Sequence, residues 1–240
     1  MTLPAPGRLR AVLFDAGNTL LHMNYAAIAG HLDRRGHTIP VEAIEEAELR
    51  ARVKLDAGLA RGASTEGRSS QDSYLIYLLE GLGIGDRDEV EAAADFRRSY
   101  NPPAGLFNVA DPEALPAIRL LKSAGLVAGV VSNSNGWARS LLDGAGLGDA
   151  LDFVIDSFVV GVEKPDPKIF QLGLERAGVA AQEAVYIGDL YSVDVLGSRA
   201  AGLGAILLDP RGFWGPRDCD TARSLVEATA LVLGQTGHPK

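Results

Sequence analysis

The chain has 240 residues, of which 47% are hydrophobic, and its formal net charge is −8. This length allows one large domain, or a core with an insertion, to bury most of its surface on folding. Because the chain carries a net negative charge, its composition does not indicate a basic surface for binding nucleic acid or an anionic membrane. No apolar stretch approaches the roughly 18 residues of a membrane span.

Two further features concern the cellular compartment. Cys219 is the single cysteine, which excludes an internal disulfide and fits a reducing environment. The N-terminal segment MTLPAPGRLR lacks the apolar region of a signal peptide. We therefore expect a soluble protein of the cytoplasm.

The first predicted element is a buried strand with the sequence AVLF at residues 11–14. Asp15 ends this apolar run, and small, turn-prone residues follow it as far as Thr19. A short apolar run bounded in this way is typical of a buried parallel strand. Because open α/β sheets bind ligands at the carboxyl ends of their strands, we expect Asp15 to lie at a ligand site.

Residues 23–107 show a helical pattern instead. Apolar residues recur every three or four positions along 44–59, and residues 74–82 and 88–96 also favour helices. The polar stretch 61–72 predicts a loop, which either overhangs a pocket or simply connects two helices. No strand-like alternation appears, so we predict a helical insertion directly after the first strand.

From residue 111 onward helices and strands alternate. Asp111 and Asp166, each followed by proline, predict two helix starts. Further helices are predicted at 138–147, 193–202 and 221–234, and strands at 126–132, within 152–160, at 184–188 and at 204–210. This alternation implies a parallel sheet with right-handed crossovers.

The acidic residues at two strand ends predict phosphoryl chemistry with a metal. Asp15 is the candidate nucleophile, because a carboxylate forms an acyl-phosphate that divides one hard step into two. The backbone carbonyl of Gly17 and the carboxylate of Asp189 are candidate ligands for Mg²⁺, which prefers a few carboxylates, waters and substrate oxygens. Asp194 either binds the metal directly or orients Asp189, although helix capping explains Asp194 equally well when it is considered alone.

Three other residues are candidates for binding the transferred group. Ser132 and Asn133 end a strand, so a hydroxyl and backbone N–H groups there would hold phosphoryl oxygens, unless the segment is a simple turn. Lys164, in the stretch VEKPDPKIF, is a candidate for a fixed positive charge that lets two anions approach each other.

Together these segments resemble the haloacid dehalogenase-like hydrolase superfamily. FDAGNTL at 14–20 resembles its first motif, VVSN its second, the stretch around Lys164 its third and GDLYSVD its fourth. The resemblance implies a Rossmann-like, doubly wound α/β core at 1–22 and 108–240, with a helical cap domain of the C1 type at 23–107. It further implies Mg²⁺ as cofactor and a small phosphorylated metabolite as substrate.

One position departs from the family pattern. Family phosphatases usually carry Asp two residues after the nucleophile as a general acid, and here that residue is Gly17. General acid catalysis is typically worth about 10²–10⁴-fold in rate. We therefore expect slow hydrolysis of alkyl phosphates, and better rates where the leaving group is a weak base, as in acyl or aryl phosphates.

The same departure leaves other functions open. Dehalogenases of the family also lack the second Asp, but they lack the acidic metal site as well. Phosphonate-cleaving members use a cap lysine as a Schiff base, and Lys54 is the candidate for that role here. A slow or inactive phosphate-binding module, with a regulatory role, is the remaining alternative.

Overall fold

The computed structural model describes residues 8–102 and 105–234. Residues 1–7, and with them most of the segment considered for a signal peptide, lie outside the described residues. The chain divides into two compact units, Met1–His22 with Ala110–Lys240, and Met23–Val109. None of the helices in the described ranges combines the length and apolar character that crossing a membrane requires.

The first unit is built on a six-stranded parallel sheet. Its strands are β1 (Ala11–Phe14), β4 (Val127–Ser132), β5 (Phe153–Asp156), β6 (Ala184–Gly188), β7 (Gly204–Leu208) and β8 (Asp220–Ala222). They lie in the order β5-β4-β1-β6-β7-β8, and every neighbouring pair is parallel. The central strand β1 therefore ends between β4 and β6, with Phe14 opposite Val130 and Ile187.

Helices cover both faces of this sheet. They are α5 (Ala114–Ser123), α6 (Ala138–Gly144), α7 (Ser157–Val160), α8 (Pro167–Ala177), α9 (Leu196–Ala200) and α10 (Leu225–Val232). Val12 and Phe14 pack in one apolar cluster with residues of α5, α6 and α10, whereas Ala11 and Leu13 pack in a second cluster with α8. This alternation along β1 follows the two-residue period of a strand. The predicted α/β class, with a doubly wound parallel sheet, is confirmed.

The second unit is helical, with α1 (Tyr25–Arg34), α2 (Val41–Leu59), α3 (Arg68–Gly81) and α4 (Arg87–Ser99). Its apolar core includes Ile28, Leu32, Ile44 and Leu78. Two short strands, β2 (Leu21–Met23) and β3 (Phe107–Ala110), pair with each other where the chain passes between the two units. The sequence did not predict this pair, because three or four residues are too few to show an alternating pattern.

Several predicted element boundaries were wrong. Helix α3 begins at Arg68, so the end of the predicted 61–72 loop is helical. Thr221 lies in β8 rather than in the last helix, which begins at Leu225 after a Ser224 cap. Asp111 accepts a hydrogen bond from the Glu113 N–H at 2.6 Å, but the helix itself begins at Ala114. The other predicted cap is correct, since Asp166 accepts from the Lys168 N–H at the start of α8.

Candidate active site

The candidate nucleophile lies one residue beyond β1. The Asp15 N–H donates to the Ile187 carbonyl at 2.9 Å, which extends the sheet hydrogen bonding by one residue and fixes the backbone. The Asp15 carboxylate is buried, and its Oδ1 accepts from the Ser132 hydroxyl at 2.8 Å and lies 2.8 Å from Lys164 Nζ. These side-chain contacts all fall on one carboxylate oxygen, which leaves Oδ2 the better placed to react.

Lys164 is a buried cation whose donors are all engaged. Its Nζ contacts Asp15 Oδ1, Asp194 Oδ1 and the Tyr186 hydroxyl, each at 2.8 Å. An ammonium group has three N–H donors, so this set satisfies it fully. Burial opposes the charged ammonium, but the carboxylates of Asp15 and Asp194 outweigh that effect and raise the pKa of Lys164 above its ordinary value. Lys164 is therefore charged at neutral pH.

Tyr186 is a neighbour of Lys164 that the sequence did not reveal. Its hydroxyl accepts from Lys164 and donates to the Val131 carbonyl at 2.6 Å. Burial, together with the nearby charge of Asp194, raises the pKa of Tyr186 well above its ordinary value, so the phenol stays neutral. It thus holds the lysine in place from inside β6.

Asp194 holds the fourth-motif loop together. Its Oδ2 accepts from the backbone N–H groups of Asp189 and Leu190 at 3.0 and 2.9 Å, while Oδ1 contacts Lys164. The residue lies in a π-helical turn, Tyr191–Val195, that precedes α9. A Cβ on Gly188 would come within 2.5 Å of the Asp194 carboxyl group, so only glycine allows this close approach. These contacts agree with the alternative in which Asp194 orients Asp189 instead of binding the metal directly.

Three carboxylates converge at this edge of the sheet. One ligand atom each of Asp15, Asp189 and Asp194 lies within 4.8 Å of the others, and all three residues are buried. Carboxylate oxygens are the ligands that Mg²⁺ prefers, and buried carboxylates at such distances repel one another unless a cation compensates them. The donor set therefore fits a divalent cation of that kind.

The second-motif residues have different partners. Ser132 contacts Asp15 directly, as described above. The Asn133 side chain instead bonds the backbone of Lys164 in both directions, accepting from its N–H at 2.7 Å and donating to its carbonyl at 3.0 Å. The Asn133 side-chain amide thus ties the second motif to the third.

Gly17 lies in a tight turn after Asp15. The Ala16 carbonyl accepts from the N–H groups of Leu20 and Leu21 at 2.9 Å each, and Asn18 adopts a positive φ of 52°. The backbone of Gly17 itself is outside the left-handed region. A left-handed backbone conformation is therefore not the reason for glycine at this position.

A comparison with protein-family models identifies the chain. The model of the haloacid dehalogenase-like hydrolases matches residues 9–202, most of the chain and all the site residues above. The chain belongs to the haloacid dehalogenase-like hydrolases. The family resemblance inferred from four short motifs is thereby confirmed.

Relatives of this hydrolase include proteins with different activities. Haloacid dehalogenase-like hydrolase domain-containing protein 3 from Mus musculus is 29% identical over 210 residues, 84% of this chain and 82% of the mouse protein. Glyceraldehyde 3-phosphate phosphatase from Methanopyrus kandleri is 29% identical, over 81% of this chain and 82% of that protein. Among solved structures, 2-haloacid dehalogenase from Pseudomonas syringae pv. Tomato DC3000 superposes with a TM-score of 0.57 at 26% identity, covering 95% of this chain and 100% of that one.

Proposed function

We propose that this haloacid dehalogenase-like hydrolase removes phosphate from a small phosphorylated metabolite, using Mg²⁺ and an aspartyl-phosphate at Asp15. The observation that carries the proposal is the buried Lys164 ammonium, 2.8 Å from both Asp15 and Asp194, beside a cluster of three carboxylates. Such a site combines an anionic nucleophile with the positive charge that a phosphoryl anion needs in order to approach.

The chemistry follows from the contacts of Asp15. One carboxylate oxygen is held by Ser132 and Lys164, so the other attacks phosphorus. An oxygen–phosphorus bond forms to Asp15 as the bond to the leaving-group oxygen breaks, and water then hydrolyses the acyl-phosphate. When substrate binds, Ser132 and Lys164 would each redirect a hydrogen bond from Asp15 to a phosphoryl oxygen. Mg²⁺, held by Asp15, Asp189 and the Gly17 carbonyl, would neutralise negative charge on the carboxylates and the phosphoryl group.

Gly17 sets the expected leaving-group preference. Without a carboxylic acid at this position the departing oxygen receives no proton from it, so a weakly basic leaving group is favoured. We expect Gly17→Asp to raise kcat/KM for alkyl phosphates by about 10-fold or more while changing that for aryl phosphates little. An unchanged ratio of the two would refute the proposed role of this position.

The helical unit, Met23–Val109, is proposed to act as the cap. It follows the nucleophile strand directly and has an apolar core of its own, the arrangement expected of a separate substrate-selecting lid. Its boundary strands β2 and β3 would be the natural place for a hinge.

The alternatives predict different results. Dehalogenation is suggested by the structural neighbour and by Gly17, and metal-independent halide release from a 2-haloacid would establish it. Schiff-base chemistry at Lys54 is disfavoured, because its side chain is exposed and its Nζ forms an ion pair with Glu80 at 2.5 Å on the surface of the helical unit. A non-catalytic module would bind phosphate without turnover.

A panel of phosphorylated metabolites, assayed for phosphate release with Mg²⁺ and with EDTA, tests the proposal. We expect turnover that requires Mg²⁺ and that falls at least a thousandfold in Asp15→Asn, which keeps the shape of the side chain but is a poor nucleophile. Turnover by Asp15→Asn at the wild-type rate, or halide release without metal, would refute the proposal.

A further inference from the structure

The Lys164 ammonium has one uncharged partner, the hydroxyl of Tyr186. Its other two partners are the carboxylates of Asp15 and Asp194, and all three acceptor oxygens lie 2.8 Å from Nζ. An ammonium group has three N–H donors, and a buried donor without an acceptor costs free energy. The Tyr186 hydroxyl therefore satisfies the third donor, and its own surroundings determine in which direction that donor points.

The Tyr186 hydroxyl has little freedom of its own. It donates its proton to the Val131 carbonyl at 2.6 Å, so its oxygen faces Lys164 as an acceptor. The residue is 1% exposed and belongs to the apolar cluster that also contains Leu13 and Val131. The rings of Tyr186 and Phe170 form a T-shaped pair with centroids 5.0 Å apart. Because such a core is close-packed, the ring cannot turn without disturbing its neighbours, and the hydroxyl is a fixed acceptor.

The Tyr186 side chain reaches across the strand that leads to the candidate nucleophile. Tyr186 on β6 is the register partner of Leu13 on β1, whereas the carbonyl that accepts its proton belongs to Val131 on β4. Strand β1 lies between β4 and β6. A single atom, Lys164 Nζ, then joins the hydroxyl to the Asp15 carboxylate. Tyr186 is therefore linked to the reacting group by two consecutive contacts of 2.8 Å.

The other fixed partner of Lys164 is Asp194. Two backbone N–H groups hold its carboxylate, so its Oδ1 is also a fixed acceptor. The backbone of Lys164 is itself held by the Asn133 side chain. Two fixed acceptors hold the ammonium against rotation about its last carbon–nitrogen bond, and the tetrahedral geometry then sets the direction of the third N–H. That N–H points to Asp15 Oδ1 at 2.8 Å.

We propose that Tyr186 is a positioning residue for phosphoryl transfer, because its hydroxyl directs the third N–H of Lys164 toward the group that bonds to Asp15. This inference rests on the proposed phosphohydrolase function. As the oxygen–phosphorus bond to Asp15 forms, the bond from phosphorus to the leaving oxygen breaks and its electron pair stays on that oxygen, so no proton passes through Tyr186.

Phenylalanine at position 186 would separate charge from alignment. The positive charge of Lys164 would stay in the site, so the attraction for a phosphoryl anion would persist. One N–H would lose its acceptor, and the ammonium would turn toward the neighbouring carboxylates. The loss would therefore fall on the transition state, in which the hydrogen bond to the moving phosphoryl group must be aligned.

The test compares binding of a ground-state mimic with binding of a transition-state mimic. Orthophosphate is tetrahedral, whereas orthovanadate adopts the five-coordinate geometry of phosphoryl transfer, so titration calorimetry of both in Mg²⁺ compares the two states without turnover. We expect Tyr186→Phe to weaken vanadate binding about tenfold and to leave phosphate binding nearly unchanged. With acetyl phosphate, whose acetate leaving group needs no proton, kcat should also fall about tenfold while KM changes little.

Two further variants control for stability. Tyr74→Phe is the matched control, because the Tyr74 hydroxyl donates to the buried Glu48 within the helical unit, and its removal should leave the ratio of vanadate to phosphate affinity unchanged. Phe170→Leu keeps the Tyr186 hydroxyl but removes the ring that packs against it, so this ratio should fall in the same direction by a smaller factor. Melting temperatures are recorded for every variant.

The possible outcomes separate the inference from the function on which it rests. An unchanged affinity ratio in Tyr186→Phe, or an equal fall of that ratio in the Tyr74→Phe control, would overturn the positioning role and leave the phosphohydrolase standing. If Tyr186→Phe does not fold, an unchanged ratio in Phe170→Leu overturns the role instead. Failure of the wild-type protein both to bind vanadate and to hydrolyse acetyl phosphate would overturn the proposed function and the inference together.

Discussion

Replacing Lys164 with Met tests the electrostatics of the site most directly. The change keeps an unbranched apolar stem and removes the positive charge. The Lys164 side chain is 2% exposed and that of Asp194 is 1% exposed, so water cannot take over the lost contacts without rearrangement. The substitution leaves the carboxylates of Asp15 and Asp194 buried beside each other without their shared cation.

The expected magnitude follows from the distances. At 2.8 Å and an effective dielectric constant of about 20, each ion pair is worth about 6 kcal/mol of Coulomb energy, and desolvation of the buried ammonium offsets several kcal/mol of that. Removing one partner of a buried pair typically costs about 3–5 kcal/mol. We therefore expect Lys164→Met to lower the free energy of unfolding by about that amount without divalent metal.

Urea unfolding in EDTA measures this change. Both tryptophans, Trp137 and Trp214, lie in the unit that carries the site, so intrinsic fluorescence reports on that unit. The double variant Lys164→Met/Asp194→Asn removes one of the stranded charges and should be less destabilised than the sum of its single variants. A loss below about 1 kcal/mol in Lys164→Met, or strict additivity in the double variant, would refute the reasoning.

Three further predictions concern neighbouring groups. Mg²⁺ should raise the melting temperature of the wild-type protein, and Asp189→Asn should abolish that shift in a thermal scan; an equal shift in both would remove this residue from the metal site. Tyr186→Phe leaves the Val131 carbonyl without its 2.6 Å donor, so urea unfolding should show a loss of about 1–3 kcal/mol, and a loss near zero would contradict the assigned bond. In the helical unit, Arg52 is ion-paired with the fully buried Glu48, so Arg52→Met should lower the free energy of unfolding by about 3–5 kcal/mol. Adding Glu48→Gln to Arg52→Met should recover part of that loss, and no recovery would argue against the ion pair.

The residues at strand ends were predictable because a parallel sheet brings them together. Asp15, Ser132 and Asp189 each follow a short apolar run, and adjacent parallel strands end at one edge. Because β4, β1 and β6 are neighbours in the sheet, these side chains lie close together. The sequence therefore indicated the position of the site before any distance was known.

Other contacts could not be predicted from the sequence. Tyr186 lies inside an apolar strand, where a tyrosine is indistinguishable from a core residue until its hydroxyl is seen between Lys164 and Val131. Asp156 resembles an ordinary helix cap, and its bonds to Gly136 and Ala138 depend on the pairing of β5 with β4. The strands β2 and β3 are stabilised by their pairing with each other, and such long-range pairing leaves no local periodicity.

The charges of the candidate site bear on the proposed tasks of its acidic residues. Three carboxylates and one ammonium leave a formal charge of −2, which one divalent cation would neutralise. Asp194 directs one oxygen to Lys164 and the other to two backbone N–H groups, so its charge is already compensated within the protein. Asp15 and Asp189, the other two carboxylates of the cluster, are the proposed ligands of the cation. On the proposed function, Asp194 would position the loop and the lysine, Asp189 would bind the metal, and Asp15 would keep one oxygen for reaction at phosphorus. Asp194→Asn should then weaken turnover chiefly through a misplaced Lys164, with a smaller loss of Mg²⁺ affinity than Asp189→Asn, and the reverse order of Mg²⁺ affinities would contradict this assignment.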